Sequence, residues 1–509
     1  MNKPFVPFPL TLPFREGRSL LRGGFLISKL RSELLICTRA MTNLYNSSLS
    51  SLKPTITIPR YDRRSITSGI VHIGVGGFHR AHEAVYIDDL LSMGKGDGWG
   101  ICGVGIRPVD SAMRDALVPQ DCLYMVVTRD ASGDTARVIG AMTKYLFGPD
   151  DPESVLETLA APETRIVSLT ITEGGYGVDT SPQSVFGILV EALNRRRKRG
   201  LSAFTVLSCD NLQSNGDTAC AALLGYIPEG DSDLREWIVA NVTFPNCMVD
   251  RITPQTTDAD RILVLQEFGV EDAWPVVCEP FRQWIIEDNF TNGRPPLELV
   301  GVQFTSDVRP YELMKIRLLN ASHSAMGYLG FLAGFEYIHE VIAAPLFLDF
   351  IRRLMDEEIT PLLPPVPGID LADYQRTLLT RFANPAIKDQ VTRICLDGSS
   401  KVPKFLLPSL QEALAAGRST RLLSLAVAGW MRYLVGLDEK NVPYVLNDPL
   451  AARLQPLARE SQADPRPLLS LTQIFGDLGK SEVLVAQIGD FLSQLYSAGS
   501  IATLTDALA

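Results

Sequence analysis

The sequence predicts an α/β protein in which a parallel, doubly wound sheet is followed by a mainly α-helical C-terminal domain. Up to about residue 308, short Val- and Ile-rich runs that end in turn residues alternate with helix-compatible segments. Strands that alternate with helices in this way form parallel sheets. Beyond that point the apolar residues follow helical spacing, which indicates a second domain built from helices.

Five apolar runs are the predicted strands, namely GIVHIGVGG, GWGICGVGIRP, ARVIGAMTKYLF, ETRIVSLTITEGG and LSAFTVLSCDN. Amphipathic segments such as HEAVYIDDLLSMG and SVFGILVEALNRRRKRG separate some of them. The later segments EVIAAPLFLDFIRRLMDEEI and TRLLSLAVAGWMRYLVGL fit helices. We therefore expect an N-terminal extension over residues 1–55, a sheet domain over 56–307 and a helical domain over 308–509.

The bulk composition excludes several classes of protein. The chain has 509 residues, of which 46% are hydrophobic, and a formal net charge of −10, which argues against nucleic-acid binding because phosphate contacts need a basic surface. No apolar run reaches the roughly 18–20 residues of a membrane span, so we expect no membrane partner. The eight cysteines include no Cys-x-x-Cys pair, which predicts reduced thiols in a cytoplasmic protein. The sequence has no heptad pattern that would indicate a coiled-coil oligomer, which is consistent with a monomer.

The first 40 residues are basic within an acidic chain, since they contain seven Lys and Arg residues but only Glu16 and Glu33 as acids. Such a leader is typical of an organelle presequence, of a disordered tail, or of translated upstream sequence before a start at Met41. The Pro-rich opening is a poor amphipathic helix, which favours a tail or a misassigned start.

A glycine-rich turn follows the first predicted strand and precedes a helix, which is the context of a dinucleotide site. Glycines allow a tight turn and let backbone N–H groups approach a pyrophosphate. The run comprises Gly74, Val75, Gly76, Gly77, Phe78, His79 and Arg80. Its last glycine is replaced by His79, and a tight turn without a ligand can have the same pattern.

Asp110 follows the second predicted strand, where a carboxylate usually binds the adenosine ribose and disfavours the 2′-phosphate of NADP. The position predicts NAD as cofactor. Two alternatives remain at this point. Asp110 is also placed to cap the helix SAMRDAL, and the neighbouring Arg107 could accept a phosphate.

The stretch KIRLLNASH places polar side chains within an apolar helical pattern. At about 100° per residue, a regular α-helix would bring four of them into an arc of roughly 140°, namely Glu312, Lys315, Asn320 and His323. A buried lysine loses its charge readily and can act as a general base. The competing interpretation is that Lys315 extends to the surface while the other polar groups are satisfied in the core.

Two further segments carry candidate site residues. Asn211 stands at the end of a predicted strand, where doubly wound sheets bind ligands, although asparagine is also a common turn residue. Asp250 and Arg251 follow another short apolar segment. We expect no metal, because His79 and His82 are not joined by an Asp, Glu or Cys cluster at ligand spacing.

Taken together, these motifs resemble the long-chain polyol dehydrogenase family, also called the mannitol dehydrogenase family. The resemblance extends from about residue 56 to the C-terminus. It rests on HIGVGGFHRAH, SLTITEGGY, SCDNL, FPNCMVDRITP, PVVCEPFRQWIIEDNF, KIRLLNASH and DGSSKVPKF.

The resemblance implies a Rossmann-type NAD-binding domain, a helical domain, and a zinc-independent active site between them. Lys315 matches the general acid/base and Glu312 a glutamate that passes protons to solvent. Asn211 and Asn320 match asparagines that hydrogen-bond the reacting oxygen. Four further residues match contacts to the polyol, namely His323, Asp250, Arg393 and Lys401.

The activity that the resemblance implies is NAD-dependent, reversible oxidation of D-mannitol to D-fructose. Fructuronate reductase and arabinitol dehydrogenase share the motifs, and Arg393, Lys401 or Arg317 could bind the carboxylate of a uronate. A third alternative is an NAD-binding regulatory protein without catalysis. The chain departs from the family at Val109, where an acidic residue is expected, and after Ser181, where a segment that relatives carry is missing.

Overall fold

The computed structural model describes residues 42–177, 181–227 and 230–509. The basic leader before Met41, and with it most of the expected N-terminal extension, lies outside these residues. Residues 178–180, just before the shortened segment, lie outside them as well. Residues 42–55, which were assigned to the extension, are folded: Thr42–Asn43 pairs in parallel with Val270–Glu271, and Leu44 is buried.

The predicted doubly wound sheet is confirmed. Its five strands are all parallel. The chain enters at the central strand Ile70–Ile73, adds Ile101–Gly105 and Met142–Phe147 on one side, and then crosses to place Ile166–Leu169 and Thr205–Ser208 on the other. The change of direction lies between Ile70–Ile73 and Ile166–Leu169, and ligands of such sheets bind in the crevice at this switch point.

Two smaller mixed sheets were not predicted from the sequence. One contains, in spatial order, Val276–Cys278, Tyr124–Thr128, Thr135–Ile139 and Ile56–Thr57, and the other Cys247–Asp250, Gln283–Glu287 and Gln303–Thr305. The run ARVIGAMTKYLF, predicted as one strand, is therefore two strands in different sheets. The first strand ends before Gly140, where an added Cβ would lie 2.7 Å from the ring of Pro59.

Eight α-helices accompany the sheets in the described part of the chain. Four of them have a side-chain cap at the N-terminus; the Asp151 carboxylate, for example, accepts a hydrogen bond from the backbone of Ser154 at 3.0 Å. The helices are Gly77–Ala81, Glu83–Ser92, Ser111–Leu117, Pro152–Ala160, Val185–Lys198, Asn215–Tyr226, Ser232–Asn241 and Asp258–Leu263.

The C-terminal part is helical, as predicted. Its α-helices in the described residues are Arg309–Met314, Ala321–Leu332, Ile338–Ala343, Pro345–Arg353, Leu371–Phe382, Val391–Ile394, Gly398–Phe405, Leu407–Ala415, Arg421–Tyr433, Ala451–Glu460, Arg466–Leu469, Thr472–Phe475, Glu482–Ser497 and Gly499–Leu508. Ala321–Leu332 packs against Arg421–Tyr433 in the centre of one large apolar core. No helix among the described residues is both long and apolar enough to cross a membrane.

The polypeptide around KIRLLNASH forms one continuous helix over residues 309–332, which we call the site helix. Its middle section, Lys315–Asn320, is π-helical, and the Ala321 N–H donates to the carbonyl of Ile316. This i→i+5 pattern widens one turn. The prediction of a regular α-helix through this stretch was wrong, because the sequence pattern carries no signal for the wider turn.

Candidate active site

A cavity of about 490 Å³ lies where the switch point of the central sheet meets the site helix. The sheet side contributes the glycine turn and the ends of several strands. The helical side contributes the π-helical turn and two short segments that follow it in the chain. Among the predicted site residues, those on its wall are Gly74, Gly76, Gly77, Phe78, Asn211, Asp250, Lys315, Asn320, His323, Arg393 and Lys401.

The amine of Lys315 is the group that joins the two sides of this cavity. Its Nζ donates a hydrogen bond to Oδ1 of Asn211, which extends from the strand Thr205–Ser208. Lys315 is buried, with 7% of its surface exposed. Burial lowers the pKa of Lys315 below its ordinary value, although the charge of Asp250 partly opposes this shift. A lysine in this state can accept a proton.

Asn211 is held in place by its neighbour Asp210. The Asp210 carboxylate accepts backbone hydrogen bonds from Ile171 at 2.9 Å and Thr172 at 2.8 Å, and a hydroxyl hydrogen bond from Tyr176 at 2.6 Å. These contacts tie the end of the Asn211 strand to the loop after Ile166–Leu169. The motif SCDNL drew attention to Asn211, but the supporting role of Asp210 was not predicted.

Glu312 lies one turn before Lys315 but is not on the cavity wall. Its Oε1 accepts a hydrogen bond from the backbone N–H of Ser214 at 3.0 Å, and its Oε2 has no partner among the described residues. Burial raises the pKa of Glu312 to about 7. The carboxyl can therefore gain and lose a proton near neutral pH, behind the amine that faces the cavity.

His323 lies on the cavity wall and has one buried, unpaired ring nitrogen. Its Nε2 is buried and has no hydrogen-bond partner among the described residues, while its ring lies against Phe382 with centroids 4.6 Å apart. Burial lowers the pKa of His323 to about 4. The imidazole is therefore neutral near pH 7 and can exchange a hydrogen bond with a ligand hydroxyl.

The cationic residues on the cavity wall differ in how free they are. Arg393 pairs with both carboxylate oxygens of Asp389, at 2.6 and 2.7 Å. Lys401 donates to the carbonyl of Ile394 at 3.2 Å, and burial lowers its pKa. Arg317, the third candidate for a uronate carboxylate, is not on the wall, because its guanidinium pairs with Glu412.

Asp250 lines the cavity, but both of its oxygens are already hydrogen-bonded to Arg381, at 2.7 and 2.9 Å. The same guanidinium contacts both oxygens of Glu279, at 2.8 and 3.0 Å. The sequence did not predict this cluster. Glu279 occurs in the motif PVVCEPFRQWIIEDNF, but nothing local distinguishes Arg381 from the other arginines of the helical domain.

The glycine turn is set by contacts behind it. Gly74 has φ +95°, and a Cβ there would lie 2.2 Å from the carbonyl oxygen of Thr170, so only glycine fits. Gly76 and Gly77 differ, because a Cβ on either would meet no atom closer than 3.7 Å. The side of the turn that faces the cavity is thus an open cradle at a helix N-terminus, suited to a phosphate.

Three residues of the same run lie away from the cavity wall. Val75 packs in the core. Arg80 is fully buried and donates to the carbonyls of Gly76 and Trp274. His79 is also fully buried and contacts Glu83 at 3.1 Å. The side chains of these residues therefore support the turn from behind.

His79 belongs to a buried cluster that the sequence did not reveal. Its Nδ1 and that of His72 each lie 3.1 Å from Oε2 of Glu83, which also accepts from Ser168 at 2.9 Å. The three groups are close enough to hold a metal ion. However, the two imidazoles are stacked at 3.5 Å with an interplanar angle of 13°, and both ring nitrogens of His72 already have hydroxyl partners, Ser168 at 2.8 Å and Thr170 at 2.9 Å. The geometry fits a hydrogen-bonded support for the turn.

Asp110 lies after the second strand of the sheet, as predicted, but not on the cavity wall. Its carboxylate accepts from the backbone N–H groups of Ile106 at 3.1 Å and Arg107 at 2.9 Å, and from the Arg107 guanidinium at 3.1 Å. It therefore closes the turn before Ser111–Leu117 and makes no side-chain cap for that helix. Val109 is exposed.

Comparisons with known proteins agree with this geometry. The family model of the mannitol dehydrogenase Rossmann domain matches residues 68–299, and that of the mannitol dehydrogenase C-terminal domain matches residues 307–496. Mannitol 2-dehydrogenase of Phaeosphaeria nodorum is 47% identical over 489 residues, which cover 91% of this chain and 85% of that protein.

Two solved structures are also similar. Pseudomonas fluorescens mannitol 2-dehydrogenase, in a ternary complex with NAD and D-mannitol, has a TM-score of 0.85 at 46% identity and covers 92% of this chain and 99% of its own. A substrate-free D-sorbitol dehydrogenase has a TM-score of 0.82 at 37% identity, with coverage of 91% and 100%. On this evidence, the chain belongs to the mannitol dehydrogenase family.

Proposed function

We propose that this protein is an NAD-dependent polyol dehydrogenase that reversibly oxidises D-mannitol to D-fructose. The observation that carries the proposal is the position of one buried amine, Lys315, beside the glycine turn in a cavity lined by amide and hydroxyl-binding side chains. The names of the similar proteins support the same activity and substrate.

The cradle at Gly76 and Gly77 fits the pyrophosphate of NAD, because backbone N–H groups at a helix N-terminus favour anions. Asp110 is the carboxylate that would hold the adenosine ribose. Bound NAD supplies the acceptor for a hydride from the carbinol carbon of the polyol. The side chains of this chain then have to orient the substrate and move one proton.

Lys315 performs the proton transfer in this proposal. Its neutral amine accepts the proton of the reacting hydroxyl as the hydride leaves the carbon that carries this hydroxyl. Asn211 and Asn320 hydrogen-bond the oxygen, whose negative charge grows during the reaction. Glu312, with its pKa raised by burial to about 7, then takes the proton from Lys315 towards solvent. In the reverse direction, protonated Lys315 returns the proton to the carbonyl oxygen of the ketose.

The rest of the polyol is bound by groups suited to hydroxyls. The imidazole of His323, which lies on the cavity wall, exchanges a hydrogen bond with one of them. Asp250 keeps lone pairs for a substrate hydroxyl beyond those that Arg381 occupies. Arg393 and Lys401, which also lie on the cavity wall, provide further hydrogen-bond donors. These roles rest on where the side chains stand and on the family resemblance.

The alternatives receive less support from this site. A uronate would bring a carboxylate, but Arg317 and Arg393 are each paired with a carboxylate of the protein. Besides Lys315, the described wall residues leave two cations without an acidic partner, Lys401 and Arg251, and Arg251 already donates to the backbone carbonyls of Ala81 and Glu279. A regulatory protein without catalysis would not need a desolvated lysine beside two asparagines.

We also propose that the protein is a cytoplasmic monomer. The seven cysteines of the described residues are free thiols, which supports the cytoplasmic compartment.

The first prediction concerns the amine itself. Lys315→Ala should lower kcat for D-mannitol oxidation at least about 100-fold, because general acid–base catalysis contributes that much or more. The affinity for NADH, measured by fluorescence titration, should stay close to that of the unmodified protein. Lys440→Ala, at an exposed lysine, is the matched control and should turn over normally. Full activity of Lys315→Ala would refute the mechanism.

The second prediction concerns the cofactor cradle. Gly76→Ala should leave the melting temperature unchanged, since the new methyl group meets no atom within 3.7 Å. It should weaken NADH binding at least about tenfold, a loss of about 1.4 kcal/mol, because the methyl group fills the cradle. Gly74→Ala should instead destabilise the protein, since its Cβ would overlap the Thr170 carbonyl. Unchanged NADH affinity in Gly76→Ala would place the pyrophosphate elsewhere.

The third prediction separates the substrate classes. NADH oxidation with D-fructose should be faster than with D-fructuronate at equal concentrations, because the paired arginines leave little positive charge for a carboxylate. The same preparation and a spectrophotometric assay serve for both sugars. A higher kcat/KM for fructuronate would replace the mannitol assignment with a hexuronate reductase.

A further inference from the structure

Arg381 bridges the helical part of the protein to two buried carboxylates on the sheet side. It lies on the helix Leu371–Phe382, and its guanidinium makes four hydrogen bonds of 2.7–3.0 Å, two to Asp250 and two to Glu279. The three side chains are between 2% and 5% exposed. Charges that are buried this deeply interact strongly, because little water screens them.

The two carboxylates occupy different sides of the arginine. Asp250 lines the cavity that contains Lys315, whereas Glu279 lines a separate cavity and accepts a backbone hydrogen bond from Ile252 at 2.6 Å. Arg381 itself lines the second cavity and not the first. It therefore reaches the catalytic amine only through Asp250 and through its own electric field.

The charges act on Lys315 in opposite directions. The negative charge of Asp250 favours the ammonium form of the lysine, and the positive charge of Arg381 opposes that form. Since Arg381 engages both Asp250 oxygens, much of the negative charge that would otherwise hold a proton on Lys315 is compensated. Burial of the amine then determines its state.

We propose that Arg381 is a positioning residue that neutralises Asp250 and so keeps Lys315 in the uncharged form that accepts the substrate proton. This inference rests on the proposed dehydrogenase function and deepens it. A guanidinium with no substrate contact sets the proton affinity of the catalytic base from behind the cavity wall.

Several other charged or titratable groups face the same region. Lys315 also faces Glu312 on its own helix, and Arg381 also faces Tyr374 and the ring of Phe281. The remaining ionisable groups of the described residues on the cavity wall are Cys209, Asp210, Arg251, His323, Arg393 and Lys401. Because the pKa of Glu312 is raised to about 7, the pH profiles should be recorded both with Glu312 intact and in Glu312→Gln.

The test is the pH dependence of mannitol oxidation in Arg381→Gln. Loss of the positive charge should raise the pKa of Lys315, so the amine becomes neutral only at higher pH. The acidic limb of the kcat/KM profile should therefore move upward by about one pH unit, with most of the turnover regained on the alkaline plateau. At a fixed pH on the limb this is about a tenfold loss. Arg381→Lys, which keeps the charge, should restore most of the original profile.

Glu279→Gln should shift the acidic limb of the pH profile in the opposite direction. It removes a negative charge on the far side of Arg381, so the guanidinium compensates Asp250 more completely and the acidic limb should move to lower pH. Arg137→Gln is the matched control, because Arg137 is also paired with two carboxylates, Asp88 and Asp89, but lines neither cavity. It should leave the limb in place. A purely structural role for Arg381 would lower activity in these variants without opposite shifts.

A second readout separates this inference from the proposed function. The pH dependence with which Lys315 reacts with an amine-selective reagent, followed by peptide mass spectrometry, reports its protonation without turnover. An upward shift in Arg381→Gln supports the inference, and an unshifted labelling curve overturns it, whether or not mannitol is the substrate. If Arg381→Gln does not fold, Glu279→Gln decides: a downward shift supports the inference, and no shift or an upward one contradicts it.

Discussion

The removal of the Lys315 amine from water is the constraint on which the rest of the site depends. An ammonium in an apolar site is costly, so burial favours the neutral form that a dehydrogenase needs as a base. The cost is limited by one hydrogen bond to Asn211. Because that asparagine belongs to the sheet and the lysine to the helical part, this contact joins the two parts of the protein at the reacting atoms, while Arg381 joins them behind the cavity wall.

The fold supplies this contact through two irregular features. The order in which strands are added to the sheet reverses beside Ile70–Ile73. This reversal leaves a crevice for a dinucleotide next to Asn211. The site helix widens into a π-helical turn at Lys315–Asn320, which changes the direction of the polar side chains on either side of it. Such turns are frequent at functional sites. Two buried carboxylates, Asp210 and Glu83, are hydrogen-bonded behind the crevice of the sheet and support the loops that line it.

The sequence predicted the regular parts well, for physical reasons. Runs such as GIVHIGVGG are buried on both faces and leave a clear apolar signal, so the parallel strands were recognisable. The strands of the mixed sheets are short, as in Val276–Cys278, and give little periodicity. The π-helical turn and the Arg381 cluster could not be derived, because Arg381 meets Asp250 across 131 residues of sequence. The resemblance assigned roles to seven polar residues that line the cavity, while burial and pairing separate Lys401 from Arg317.

The central claim is that burial lowers the pKa of Lys315 in the folded protein and so favours the neutral amine that acts as the base. A direct measurement is an NMR titration of ¹⁵N-labelled lysine amines in the full-length protein, with the Lys315 signal assigned from its absence in Lys315→Met. This account predicts a pKa clearly below the ordinary lysine value of about 10.4. A pKa at or above that value would show that the amine stays charged at neutral pH and would contradict the account.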